Sequence, residues 1–422
     1  MTTAPQTLDD LNVGSYYAGD VLVALALRAA RVGLCFGIPG VQNLKLYEAL
    51  ADLDLSSSTV RTVLVANEEC IGFAACAAWR TGGIEDCSIA ARPLPCVNVI
   101  GGPGITHALP GIAMALREHC AMLVLTTGVK LGGGGAGGPD RHRFQLHDVD
   151  NLGIVSPVVK RVFRPARGDD MVAVVLKACA LARSGTPGPV AVEIPSDMVS
   201  GQHRFATPDA ALVAVPSAMR AVAAEFGLAE TTSAAPAVPL ALAVADAEDG
   251  ASSSARDVLA AIGRTLDDGT GSAILTADPG VCAAFAAVAQ RGHEGLHVLR
   301  PAAQTICGHS VPAAMGVALT RQLLGQIAAS AAEGATQQQQ RCTTPVVALA
   351  NVHSLLMTGF ELATVASLSL SVAVVVLSFD DESSSASSSS DPWLARARAP
   401  YCSDLRRDAV DCESFAAIFG LP

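Results

Sequence analysis

Four apolar residues, Val63 to Ala66, run without alternation into Asn67-Glu68-Glu69 and then into an Ala-rich stretch that reaches Arg80. An unbroken apolar run of this length reads as a strand buried on both faces, and the small-residue stretch after it as a close-packed helix. Glu68 therefore stands where strand gives way to helix, the position at which open α/β sheets hold their ligands. The same alternation extends from Gly19 to about Pro195. It predicts a helix over 20–31, with Asp20 and Arg31 matching the helix dipole, a strand over 34–36, a helix over 41–53, a strand over 60–66 and a helix ending at Arg80. Further strands are expected at 97–100, 122–126 and 190–194, and helices at 105–117 and 170–184.

From Val199 to Ser254 the pattern dissolves into Ala, Pro, Ser and Thr, apart from one helical piece over 218–226, and reads as a linker. It then restarts. Helices are expected at 255–266, 281–290, 311–332 and 358–366, and strands at 273–277, 296–299, 346–350 and 372–377. Strands without alternation, separated by helices, require parallel sheets covered on both faces. The expected fold class is α/β, with two doubly wound parallel-sheet domains over residues 15–198 and 255–422, joined by a low-complexity linker over 199–254. Two inserts, Gln337 to Gln340 and Ser383 to Ser390, are too polar to pack a core and read as disordered surface loops.

Length supports two cores: 422 residues exceed the size at which a single hydrophobic core stops growing. A formal net charge of −11 argues against a nucleic-acid or anionic-membrane surface, because no basic face would offset phosphate repulsion, and favours small-molecule chemistry. The twelve cysteines contain no C-x-x-C pair, and the N-terminal residues lack the charged-then-apolar order of a secretion signal. A cytoplasmic enzyme with reduced thiols is expected. The apolar stretch from Ala363 to Phe379 includes polar residues and is shorter than a spanning helix requires, so no membrane insertion is expected.

Further motifs fall where strands are predicted to end. Phe36-Gly-Ile-Pro-Gly40 turns strand sharply into helix, with glycines allowing tight backbone and Pro39 fixing φ. Gly101-Gly-Pro-Gly-Ile-Thr-His107 does the same after the strand at 97–100. Each alone is a common turn of α/β folds. Their order is more specific: Phe36-Gly-Ile-Pro-Gly40, Asn67-Glu68-Glu69, Gly102-Pro-Gly-Ile-Thr-His107, Phe144-Gln-Leu-His-Asp148 and Gly188-Pro-Val-Ala-Val-Glu-Ile-Pro-Ser-Asp197. Together they resemble the pyrimidine-binding domain of thiamine-diphosphate-dependent enzymes, most closely the acetolactate synthase and 2-oxo-acid decarboxylase group. In the second half, Cys307-Gly-His-Ser-Val-Pro-Ala-Ala-Met-Gly316 and the segment from Pro345 through Ser354 and Met357 to Thr364 resemble that family's diphosphate-binding domain, as does Asp411 to Gly420.

The resemblance implies thiamine diphosphate as cofactor, Mg²⁺ as its phosphate anchor and a 2-oxo acid as substrate, with decarboxylation or carboligation as the reaction. It makes Glu68 the catalytic acid that hydrogen-bonds the cofactor's aminopyrimidine. The cofactor-binding candidates are Pro39, Gly40, Pro103, His107, Cys307, Ser354 and Met357. It also implies a homodimer or higher homo-oligomer, or a hetero-oligomer with a complete relative, because in the family the cofactor lies between the first domain of one chain and the second domain of another. The family's middle domain has only the linker to occupy, so no FAD is expected.

Alignment on Met357-Thr-Gly places Asn351-Val-His353 where the family has its Gly-Asp-Gly metal motif, with Val352 in the aspartate's place. Valine has no side-chain oxygen for a hard cation. No intact metal set is expected; the nearest oxygen donors are Asn351, Asp380 and Asp381. The diphosphate-binding domain thus reads as degenerate and, lacking the family's last strands, truncated. Two functional readings stay open: an active enzyme with a rebuilt metal site, or a non-catalytic member that lends its Glu68 domain to a partner or has decayed.

Overall fold

The computed structural model of the chain describes residues 5–53, 60–130, 147–229, 273–292, 295–301, 305–331 and 346–377, with 415 and 417–419. These divide into two compact units, the residues up to 229 together with 319–331, and 273–318 together with those from 346 onward.

The first unit runs β1 (Tyr16–Ala18), α1 (Gly19–Ala29), β2 (Val32–Gly37), α2 (Leu44–Ala51), β3 (Arg61–Leu64), α3 (Glu68–Ile84), β4 (Leu94–Ile100) and α4 (Pro103–Arg117). It continues with β5 (Met122–Gly128), α5 (Asn151–Val155), β6 (Val162–Phe163), α6 (Met171–Arg183), β7 (Pro189–Pro195), α7 (Ser196–Ser200), β8 (Gln202–Arg204), α8 (Ala210–Val213) and α9 (Val215–Glu225). Six strands form one parallel sheet in the order β3-β2-β4-β5-β7-β6. β2, β5 and β7 are buried at every position and β4 at all but Ile100, which is why their sequences are continuous apolar runs. The chain leaves β2 for β3 on one side and returns to β4 on the other. Strand order therefore reverses between β2 and β4, and such a switch point opens a crevice at the carboxyl ends of the two strands.

α3 and α4 cross at a pair of glycines. A Cβ on Gly72 would stand 2.6 Å from Gly111 Cα, and one on Gly111 would stand 2.5 Å from Gly72 Cα. Only hydrogen fits there, so the two backbones meet directly. The crossing fixes the helix that starts with Glu68 against the helix that carries His107.

The second unit has a parallel sheet in the order β10-β9-β11-β12, built from β9 (Ala273–Ala277), β10 (Leu296–Leu299), β11 (Val346–Asn351) and β12 (Val372–Leu377). Its helices span Val281–Gly292, Val352–Thr358 and Glu361–Ser367, and it also holds the first turns of the long helix Ser310–Ala331. Leu275, Ala277, Cys282, Phe285, Ala286, Val347 and Leu349 form its core. No helix among the described residues is long and apolar enough to cross a membrane.

Two sheets of parallel strands separated by helices match the fold class read from the sequence. Three local differences carry a physical reason. The stretch after Val199, read as linker apart from the helical piece that is α9, also contains β8, which pairs antiparallel with β1. Its sparse apolar residues Val199, Phe205, Val215, Ala218 and Val222 are all buried, and Tyr17 meets Phe205 edge-on at 6.3 Å. The Ala and Pro content hid these anchors. Second, the segment after β11, read as a loop leading to a helix at 358, is already helical from Val352. Asn351 caps that helix, its Oδ1 accepting from Ser354 N at 2.9 Å, and a second helix follows from Glu361. Third, the short elements β1, β6 and α5 have no periodicity long enough to read. The expected helix over 255–266, both low-complexity inserts, Asp380 and Asp381 lie outside the described residues.

Candidate active site

The loop that leaves β2 builds one wall of the switch-point crevice. Gly40 N donates to Asn43 Oδ1 at 2.7 Å, and Asn43 Nδ2 donates back to Ile38 O at 3.4 Å. Fully buried Asn43 thus holds the Ile38-Pro39-Gly40 turn by its side chain. A Cβ on Gly40 would come within 2.8 Å of Ile100 Cγ2 at the end of β4, so Gly40 closes the turn onto the neighbouring strand. Pro39 is exposed at the turn's apex.

The opposite wall is the Gly101-Gly102-Pro103 turn. Gly102 has φ +73°, a conformation that favours glycine, and it precedes Pro103 at the first position of α4, where a missing N–H costs nothing. Gly102 N donates to Asn151 Oδ1 at 2.8 Å, while Asn151 Nδ2 donates to Glu193 Oε1 at 2.9 Å. Arg164 Nε donates to Glu193 Oε2 at 2.8 Å, and a second guanidinium nitrogen also reaches that oxygen. Asn151 and Glu193 are both buried, so this chain of bonds, charge-assisted at Glu193, ties the β4 turn to β7. None of the three residues was singled out from the sequence. The signal that could have found them was Glu193 itself, a charge inside the apolar run Val190 to Ile194, which has to find a partner.

Glu68 is the first residue of α3. Asn67 caps the helix by accepting from Glu69 N at 3.0 Å, which leaves the Glu68 carboxylate unused by the cap. His107 Nδ1 lies 3.6 Å from Glu68 Oε2, the Glu68 side chain being 21% exposed and that of His107 63%. An acid at a helix N-terminus, reachable from solvent and beside an imidazole, is equipped to accept and return a proton. Tyr47, also missed from the sequence, stands on the sheet side of the crevice, its hydroxyl donating to Asn98 O at 3.1 Å. Burial first, then the thiols of Cys35 and Cys96, push that hydroxyl well above its usual range, and the charge of Glu68 adds to the effect.

The second unit treats its strand-end carboxylate differently. Asp278, directly after β9, is fully buried; its Oδ1 accepts from His309 N at 2.8 Å and Ser310 N at 3.2 Å, and its Oδ2 from Ser310 Oγ at 2.7 Å. It thereby satisfies donors at the start of the helix Ser310–Ala331. Burial raises its carboxyl pKa, against the downward pull of the Ser310 and His309 hydrogen bonds. Of the candidates here, Cys307 is exposed, Met357 half exposed and Ser354 buried. Gly308 brings the first two near each other: its φ is +80°, its carbonyl accepts from Thr358 Oγ1 at 2.8 Å, and a Cβ on it would stand 3.5 Å from Met357 Cβ. Val352 is buried.

These features define a class: an open α/β protein with a reachable acid at the switch-point crevice of its first sheet. Residues 18–153 match the family model for the thiamine pyrophosphate enzyme N-terminal TPP binding domain. The chain is 34% identical over 191 residues to an acetolactate synthase of Mycobacterium bovis, covering 45% of this chain and 28% of that protein. It is 32% identical over 190 residues to the acetolactate synthase large subunit of Haemophilus influenzae (44% and 29%), and 31% identical over 186 residues to a probable acetolactate synthase large subunit of Methanocaldococcus jannaschii (44% and 28%). The matches thus span under a third of these relatives' own length. Residues 18–153, all within the first unit, are thus similar to the N-terminal cofactor-binding domain of thiamine pyrophosphate enzymes.

Proposed function

We propose that the first unit presents Glu68 to the aminopyrimidine of thiamine diphosphate, for decarboxylation or carboligation of 2-oxo acids of the acetolactate synthase type. The observation that carries this reading is the reachable carboxylate of Glu68 at the switch point, 3.6 Å from His107 and free of the cap that Asn67 supplies. When bound, the cofactor supplies the electron sink that this chemistry needs. Glu68 takes up and returns a proton at its carboxylate. His107, when protonated, holds the negative charge of Glu68 in place. The Asn151–Glu193–Arg164 chain keeps the Gly102 turn rigid, and the buried Tyr47 closes the floor against water. Pro39, Gly40 and Pro103 shape the walls.

The described residues of the second unit do not fit a magnesium ion. Val352 offers no oxygen, Asn351 Oδ1 is engaged by Ser354 N, and Asp278 is engaged by three donors. Among the described residues no group of three or more His, Cys, Asp or Glu is arranged to hold a metal ion. This favours a second reading, in which the chain supplies its Glu68 unit to a complete relative that brings the phosphate half, in a hetero-oligomer.

Turnover of a panel of 2-oxo acids with thiamine diphosphate and Mg²⁺ separates the two. In the first reading the chain alone is active, and Glu68→Gln lowers the rate by roughly 10²- to 10⁴-fold with its melting temperature unchanged. In the second, activity and its loss in Glu68→Gln emerge only when a complete acetolactate synthase is mixed in. A chain that changes nothing in either assay refutes both.

A further inference from the structure

The seam between α3 and the turn entering β5 holds two thiols in unusual proximity. Cys76 Sγ and Cys120 Sγ lie 2.8 Å apart, inside ordinary contact distance for two sulfurs, and both residues are fully buried. Cys76 sits in the middle of α3; Cys120 follows the end of α4 and precedes β5. The same two segments are joined a turn further along by Arg80 Nη1 donating to Glu118 Oε2 at 2.9 Å. Their backbones are already fixed by the Gly72–Gly111 crossing, so the two sulfurs are held together rather than brought together by chance side-chain rotation. Cys35 and Cys96 also face each other, but across paired strands in register, where the sheet dictates the spacing.

We propose that Cys76 and Cys120 are a redox-sensitive pair that a water-sized peroxide converts to a disulfide, pinning α3 to the turn before β5. One sulfur attacks a peroxide oxygen, the O–O bond breaks and a sulfenic acid forms with loss of water. The second thiol displaces the sulfenic oxygen as another water. In sum, two thiols lose two electrons and two protons, one S–S bond forms, and hydrogen peroxide is reduced to two waters. Contact with Cys120 first, and burial second, hold the Cys76 thiol well above its ordinary pKa, so the step is slow and proceeds through local opening. Cys307, being exposed, reacts first and is blocked beforehand. The bridge closes the loop from Cys76 to Cys120, which holds the end of α3, β4 and α4, so the oxidised chain is stabilised by loop closure and the Glu68 and His107 helices are locked to one another.

The test uses the full chain. Exposed thiols are alkylated with iodoacetamide under native conditions, hydrogen peroxide is added, and the protein is denatured, treated with N-ethylmaleimide and digested with trypsin. The expected product is peptide 62–80 joined to peptide 118–130, two hydrogens lighter than the sum, and split by dithiothreitol. Peptide 62–80 also contains Cys70, so fragmentation must place the link on Cys76. Oxidation should raise the melting temperature by roughly 5 to 10 °C, reversibly, and Cys120→Ala should abolish both the linked peptide and the shift. The proposal is overturned if Cys76 and Cys120 are both recovered as maleimide adducts after peroxide. A link at Cys70 or between Cys35 and Cys96 in its place overturns it equally. Because the linked peptide is read in the unsubstituted chain, the test still decides the matter if the Cys120→Ala variant fails to fold.

Discussion

Both units end a parallel strand on a carboxylate that precedes or faces a helix start, and they use it in opposite ways. Glu68 opens α3, yet its cap comes from Asn67, so its own oxygens stay available to the crevice. Asp278 is withdrawn from solvent and committed to three donors at the start of the helix Ser310–Ala331. Position at a strand end does not by itself make an acid functional. What decides is whether another residue has taken over the helix's donors.

Substitution breaks this comparison most sharply at Asp278. Asp278→Ala leaves two backbone N–H groups and a hydroxyl buried without an acceptor, and should cost the second unit about 3 kcal/mol. Glu68→Ala should cost the first unit less than about 0.5 kcal/mol, because its partner His107 is mostly exposed and the helix cap comes from Asn67. Denaturant unfolding followed by hydrogen exchange in each unit measures both; equal losses would end the distinction. Next in size is Asn151→Ala, which strips Gly102 N and one Glu193 oxygen of their partner. A loss of about 2 kcal/mol in the first unit is expected, with weakened cofactor uptake as the Gly102 turn loosens.

Most of the first unit is legible in the sequence because its strands are buried on both faces and their apolar runs are unbroken. Glu68, Pro39, Gly40, Pro103 and His107 could be placed at strand ends from that pattern and from the motif order alone. The supporting residues could not. Asn151 lies in a helix too short to show a period, Arg164 follows a two-residue strand, and their link to Glu193 is revealed only when β6 is laid beside β7. Asp278 carried the same strand-end signal as Glu68, in Thr276-Ala-Asp-Pro-Gly280, but no family motif drew attention to it. The helical piece over 218–226 was legible and is α9, whereas β8 was obscured because its three residues, Gln202 to Arg204, are all polar.

Titration gives a finer discrimination. Burial raises the Asp278 carboxyl above its ordinary 3.8, so the folded second unit holds that proton to higher pH than the unfolded chain does. The associated stability is present in full below about pH 3.8 and is lost as pH rises through the folded pKa. Asp278→Asn should flatten this slope in unfolding measured from pH 3.5 to 7; an unchanged slope would contradict the assignment. The smallest effect belongs to His107→Ala. With so exposed a ring, the loss in cofactor affinity should stay within about 1 kcal/mol, or roughly fivefold, and shrink further at high salt. A larger loss would mean that His107 contacts the ligand itself.

Glu68 as the acid that faces the bound ring is the claim on which the proposed chemistry stands. Calorimetric titration of thiamine diphosphate with Mg²⁺ into the full chain and into Glu68→Gln tests it directly. Saturable binding by the chain, weakened at least tenfold in the variant at an unchanged melting temperature, is the predicted result. Identical isotherms, or no saturable heat from either protein up to millimolar cofactor, both alone and mixed with a complete acetolactate synthase, would contradict it.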